Sequence, residues 1–171
     1  MVNVKNTIAV QNSGKDFPMI QAKPLIKNIL IAALAAVIGS IFSRNASEIL
    51  DTLNTPPIIP PPWVFAVVWS ILYLLMAISA YLIDTSNSAD KNMAFTIYGI
   101  QLVLNIAWTF LFFELEAFWA AFICILLLWI SIIAMITVFT KIRPVAGYLQ
   151  IPYLIWVTFA AVINISIAIL N

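Results

Sequence analysis

Five long, strongly apolar stretches fill most of this chain, and they leave it few ways to fold. They cover residues 25–43, 63–83, 93–113, 117–140 and 145–170, and the last four hold no Lys, Arg, Asp or Glu. A helix needs about 20 apolar residues to cross the hydrocarbon of a bilayer. The first stretch carries Lys27 near its start, where a long side chain can snorkel to the headgroups. Only 9% of the residues are charged, against about 25% in soluble domains, and the mean hydropathy is +1.06. The fold class is therefore all-α, an integral membrane bundle of five transmembrane helices.

Residues 1–22 read as a polar N-terminal tail, with Lys5, Lys15 and Asp16, and residues 23–171 as the membrane domain. The tail has no apolar core ahead of a small-residue cleavage site, so no removable signal peptide is expected. Polar residues 84–90 separate the second and third spans. The short turn Glu114-Leu115-Glu116 makes spans three and four antiparallel neighbours. Pro144 disfavours a helical Arg143 and ends span four. Segment 44–62 carries Pro56, Pro57, Pro60, Pro61 and Pro62, which predicts a semi-rigid extended lid at the mouth of the bundle. Lys5, Lys15, Lys23, Lys27, Lys91, Lys141 and Arg143 fall on one side of the membrane, and Arg44 alone on the other. That bias predicts a cytoplasmic N-terminus. No internal repeat of the kind common in transporters is visible.

Several chemistries lack their residues. A net charge of +1 without a basic stripe argues against nucleic acid. There is no histidine, which removes the commonest general base and metal ligand. The single cysteine, Cys124, lies in an apolar run and reads as a small packing residue. No phosphate loop, metal cluster or nucleophile triad is present, so no catalytic residue, metal or cofactor is assigned. A haem could not take a histidine ligand here. A metal-free porphyrin held by shape and stacking is the easier guest.

Polar and aromatic residues inside the spans carry the functional signal. Phe65, Trp69, Tyr73 and Met76 share one face of the second span. Gln101, Asn105, Trp108 and Phe112 share one face of the third, and Tyr153, Trp156, Ala160 and Asn164 lie near one stripe of the fifth. An amide facing lipid is costly, so Gln101, Asn105 and Asn164 should point inward. Such amides often only bond a neighbouring helix, and Trp63, Trp119 and Trp129 fit the interfacial belt or packing. Trp69, Trp108 and Trp156 divide between packing and lining a pocket. A face of rings with few polar groups suits a planar apolar ligand.

Three segments resemble the TspO/MBR family (tryptophan-rich sensory protein / translocator protein, also called the peripheral-type benzodiazepine receptor). They are Pro60-Pro61-Pro62-Trp63 followed by Trp69, Leu72-Tyr73 and Met76; Asn105-Ile106-Ala107-Trp108 with Phe112-Phe113; and Pro152-Tyr153 with Trp156, Phe159-Ala160 and Asn164. The resemblance spans about residues 45–165. It implies a five-helix bundle, often a dimer, that binds porphyrins and related tetrapyrroles. Some members also bind benzodiazepine-type and isoquinoline carboxamide drugs. By position it implies pocket residues Trp69, Asn105, Trp108 and Trp156, with Phe65, Tyr73, Pro61 and Ala160 as neighbours.

Two places depart from the family. Its first loop usually has a Trp-Tyr pair and a Lys-Pro-Ser-Trp segment, where this chain has Ile49-Leu50 and Thr55-Pro56-Pro57-Ile58. The chain also lacks the Tyr and following Lys or Arg of the animal cholesterol motif near its end. Cholesterol is not expected as a partner, and a bacterial cell membrane is the expected location.

Three readings follow. The first is a porphyrin-binding sensor or regulator in porphyrin and stress handling, whose partners are a planar ligand, membrane lipid and a second copy. The second is an enzyme degrading protoporphyrin in light through Trp69 and Trp156. The third is a transporter of small hydrophobic solutes, which the lack of intramembrane charge disfavours.

Overall fold

The computed structural model describes residues 20–171; the predicted tail, with Lys5 and Lys15, lies almost wholly outside them. Seven α-helices follow in order: α1 (Ala22–Phe42), α2 (Ala46–Thr52), α3 (Pro62–Asp84), α4 (Lys91–Thr109), α5 (Phe118–Ile142), α6 (Pro144–Tyr148) and α7 (Ile151–Leu170). A wider π-type turn, Phe110–Glu114, continues α4. Five units are long and apolar enough to span a membrane: Ala22–Phe42, Pro62–Asp84, Lys91–Glu114, Phe118–Ile142 and Pro144–Leu170. Each expected span is found, longer by a few residues at most ends.

The helices form a closed ring. The first span packs between the second and the third, the third on the fourth, and the fourth on the fifth. The fifth meets the second through Phe65–Trp156 and Trp69–Tyr153 ring contacts, with centroids 5.6 and 6.0 Å apart. Small residues set the inner face of α1, where Ala32, Ala35 and Gly39 are buried. Small side chains let helices approach where no hydrophobic drive exists between them. Gly147 has the strictest packing role. A β-carbon there would collide with Thr140 and with the backbone at Ile136, so α6 lies directly on the last turns of α5.

The breaks between spans follow their residues. Arg143, ahead of Pro144, is extended (φ −146°, ψ 104°), as the proline requires. The acidic turn closes with Glu116 in the left-handed region (φ 49°), while the Ala117 N–H bonds back to Leu111 O at 2.9 Å. Segment 44–62 corrects the expectation of a wholly extended lid, because residues 46–52 form α2. Its prolines begin only at Pro56, so nothing bars a helix before them. Beyond α2 the chain makes a turn at residues 57–58, closed by the Ile59 N–H to Pro56 O (3.2 Å), and is extended at Pro61 (φ −53°, ψ 147°). Asn54 and Asn171 clamp this stretch to the end of α7: Asn54 N–H donates to Asn171 Oδ1 (2.9 Å) and Asn171 Nδ2 to Asn54 O (3.1 Å).

At the opposite face Asp84 gathers three chain segments. Lys27 pairs with its carboxylate, Asn28 Nδ2 donates to it at 3.0 Å, and Lys91 Nζ donates to its backbone carbonyl at 2.6 Å. The two polar residues near the start of the first span are thus held by the end of the second. Lys27 also lies 5.5 Å from the Phe95 ring centre.

Candidate functional site

The inward amides build a hydrogen-bonded chain through the bundle. Tyr73 Oη donates to Asn105 Oδ1 (3.2 Å), and Asn105 Nδ2 donates to Tyr153 Oη (2.9 Å). Tyr153 Oη donates in turn to Gln101 Oε1 (2.9 Å), and Gln101 Nε2 faces Met76 Sδ at 3.8 Å. Gln101, Asn105 and Tyr153 are each no more than 2% exposed, so their polar atoms must pair within the protein. A second set holds a tryptophan. Trp108 Nε1 donates to Asn164 Oδ1 (3.0 Å), and Asn164 Nδ2 donates to Phe118 O (2.9 Å). All three inward amides are buried as expected, each joining two or more helices.

Above this polar floor lies a cavity of about 620 Å³, within the range of about 300–1,000 Å³ usual for small-molecule sites. It sits between α1, α2, α3 and α4. Helix α3 contributes Phe65, Trp69 and Tyr73, α4 contributes Asn105, Trp108 and Thr109, and the π-type turn after it contributes Phe113. The small α1 residues Ala36, Gly39 and Ser40 form the facing wall, and Leu50 of α2 covers one side. The site is an aromatic chamber whose polar groups include the Tyr73 hydroxyl and the Asn105 amide on α3 and α4, with Arg44 and Ser47 in the same wall.

Five of the residues anticipated from the sequence, Phe65, Trp69, Tyr73, Asn105 and Trp108, line this cavity. The other three stand apart from its wall. Trp156 lies behind Phe65, edge to face at 5.6 Å, and its Nε1 is buried with no hydrogen-bond partner among the described residues. Ala160 lines a separate void of about 20 Å³ beyond Phe65 and Trp108. Pro61 is exposed at the start of α3, and its neighbour Pro62 reaches the cavity.

The α1 wall escaped a reading that looked for rings and amides. Its only signal was the small-residue run Ala32, Ala36, Ser40, which fits helix packing equally well. Thr109 was legible in principle, being four residues from Asn105, whose carbonyl its hydroxyl bonds at 3.0 Å. The remaining tryptophans occupy other roles. Trp63 and Trp119 are exposed in the first turns of α3 and α5, and Trp129 donates to Thr158 at 2.8 Å.

The ring of five spans and its aromatic cavity define a multi-pass membrane protein with an open chamber inside its helix bundle. The family model of the TspO/MBR family matches residues 28–170. Protein CrtK of Rhodobacter capsulatus is 36% identical over 143 residues, covering 81% of this chain and 87% of that protein. Tryptophan-rich protein TspO of Chlorobaculum tepidum is 36% identical over 136 residues, covering 78% and 86%. The translocator protein of Ovis aries is 35% identical over 145 residues, covering 82% and 86%. The chain belongs to the TspO/MBR family.

Proposed function

We propose that this protein binds planar, largely apolar ligands of the porphyrin and tetrapyrrole type, and acts as a sensor or regulator in porphyrin handling and stress. The cavity carries the reading: about 620 Å³, walled by Phe65, Trp69 and Trp108, with Tyr73 and Asn105 as directional groups. A flat π-system gains from stacking on such rings. The Tyr73 hydroxyl donates to Asn105, which leaves its oxygen free to accept a ring N–H. The bound ring then stacks on Trp69, and reaches Trp156 only if Phe65 turns aside. The proposed location is a bacterial cell membrane with the N-terminus cytoplasmic. Lys23, Lys27, Lys91, Lys141 and Arg143 cluster at one face, away from Arg44, and positive charge favours the cytoplasmic side.

The test is a titration of the purified protein in lipid with protoporphyrin, in the dark, read by tryptophan fluorescence. Saturable quenching that weakens in Trp69→Phe supports the site. Quenching that does not saturate, or that the variant leaves unchanged, removes it. One observation favours a second reading, light-driven porphyrin oxidation. Trp69 lies 5.7 Å from the Tyr73 ring centre and 6.0 Å from that of Tyr153, an arrangement of oxidisable rings beside the ligand. Loss of porphyrin absorbance in light with a new product band, beyond a lipid-only control, would select it.

A further inference from the structure

Arg44 occupies a position that the aromatic pocket alone does not explain. It sits in the turn between α1 and α2 and lines the cavity. The turn is held on both sides: Ser43 N–H bonds to Gly39 O (3.0 Å) and Ala46 N–H to Ser43 O (3.0 Å). Arg44 is therefore carried on fixed backbone at the rim, not on a free loop. Among the described residues the only ion pair is Lys27–Asp84, at the other face, so none of the described acids pairs with its guanidinium. Ala46, Ser47 and Leu50 of α2 face the cavity, which puts Glu48 on the outer side; Asp51, one turn beyond Ser47, lies at the flank, and both acids are exposed and unpaired with Arg44.

We infer that Arg44 anchors a carboxylate of the ligand, so that the cavity takes an amphipathic planar acid with its apolar body inside and its acidic edge at the mouth. The inference rests on the proposed ligand class and narrows it. A carboxylate carried into the apolar interior would lose its hydration without a partner. Among the described residues Arg44 is the only charged one in the cavity wall. A guanidinium meets a carboxylate through two parallel N–H donors, and the Ser47 hydroxyl lines the same rim. Arg44 is thus a specificity-determining residue, choosing acids over neutral rings of the same shape.

The experiment compares protoporphyrin with its dimethyl ester, in which the body is unchanged and the charges are gone. Both are titrated against the full chain, Arg44→Gln and Arg44→Lys in a phosphate-free non-ionic detergent, so that no lipid headgroup competes. The natural chain should prefer the acid by about ten-fold, the scale of one hydrogen-bonded charge pair. Arg44→Gln should lose that preference while binding the ester as before, which also shows that its cavity is intact. Arg44→Lys should recover part of it. Raising the salt should weaken the acid in the natural chain only. Equal affinities for acid and ester in the natural chain, or an equal loss of both in Arg44→Gln, would overturn the inference and leave porphyrin binding standing. Saturable binding of neither compound would overturn both.

Discussion

Tyr153→Phe deletes one oxygen from the centre of the bundle and little else. That oxygen accepts from Asn105 Nδ2 and donates to Gln101 Oε1, both at 2.9 Å, in a region with no access to water. Hydrogen bonds between membrane helices average about 0.6 kcal/mol and reach about 1.7. Two of them give a loss of about 1–3 kcal/mol. The upper part of that range is expected, because Gln101 is fully buried and stands outside the cavity wall, so it has no new partner to turn to, and an unpaired buried group costs about 1–3 kcal/mol. The assay is reversible unfolding in mixed micelles, with Gln101→Leu and the double variant completing a cycle. The two residues should couple by about 0.5–1.5 kcal/mol. A loss under about 0.3 kcal/mol, or two single effects that simply add, would refute the view that this chain of bonds holds spans two, three and five together.

Four other outcomes are expected. Gly39→Ala should be tolerated or stabilising by up to about 1 kcal/mol, since its β-carbon would stand 3.7 Å from Tyr73 Oη; Gly39→Leu should fill the cavity and abolish saturable porphyrin quenching. Asn164→Leu should release the Trp108 indole N–H, costing about 1–2 kcal/mol in micelle unfolding and shifting the tryptophan emission even without ligand. Gly147→Ala should destabilise by about 1–3 kcal/mol, because α6 must lift from Thr140 and Ile136; an unfolding midpoint equal to that of the natural chain would count against this close approach.

The spans were legible because a bilayer imposes its thickness on the chain: a helix that crosses it must be apolar for its whole length. The inward direction of Gln101, Asn105 and Asn164 was legible for the same reason, since an amide cannot face hydrocarbon cheaply. Helix α2 was not, because a short amphipathic piece beside five prolines gives too few residues for a period to register. The cavity wall was half legible. Trp69, Tyr73, Asn105 and Trp108 announce themselves by ring and amide at helical spacing, whereas Ala36, Gly39 and Ser40 contribute by being small, and smallness reads the same for a packed seam and an open chamber.

The sequence alone determined that five helices cross the membrane, which residues stop each one, and which polar side chains turn inward. Each of these is a local contest between a residue and its solvent. Only the tertiary structure decided where the empty volume falls. The fifth span packs against the second through Phe65 and Trp156, so Trp156 and Ala160 end behind the wall, and the space opens instead against the small face of α1. A cavity is what remains after large and small side chains from different helices have met. No single helix records that remainder.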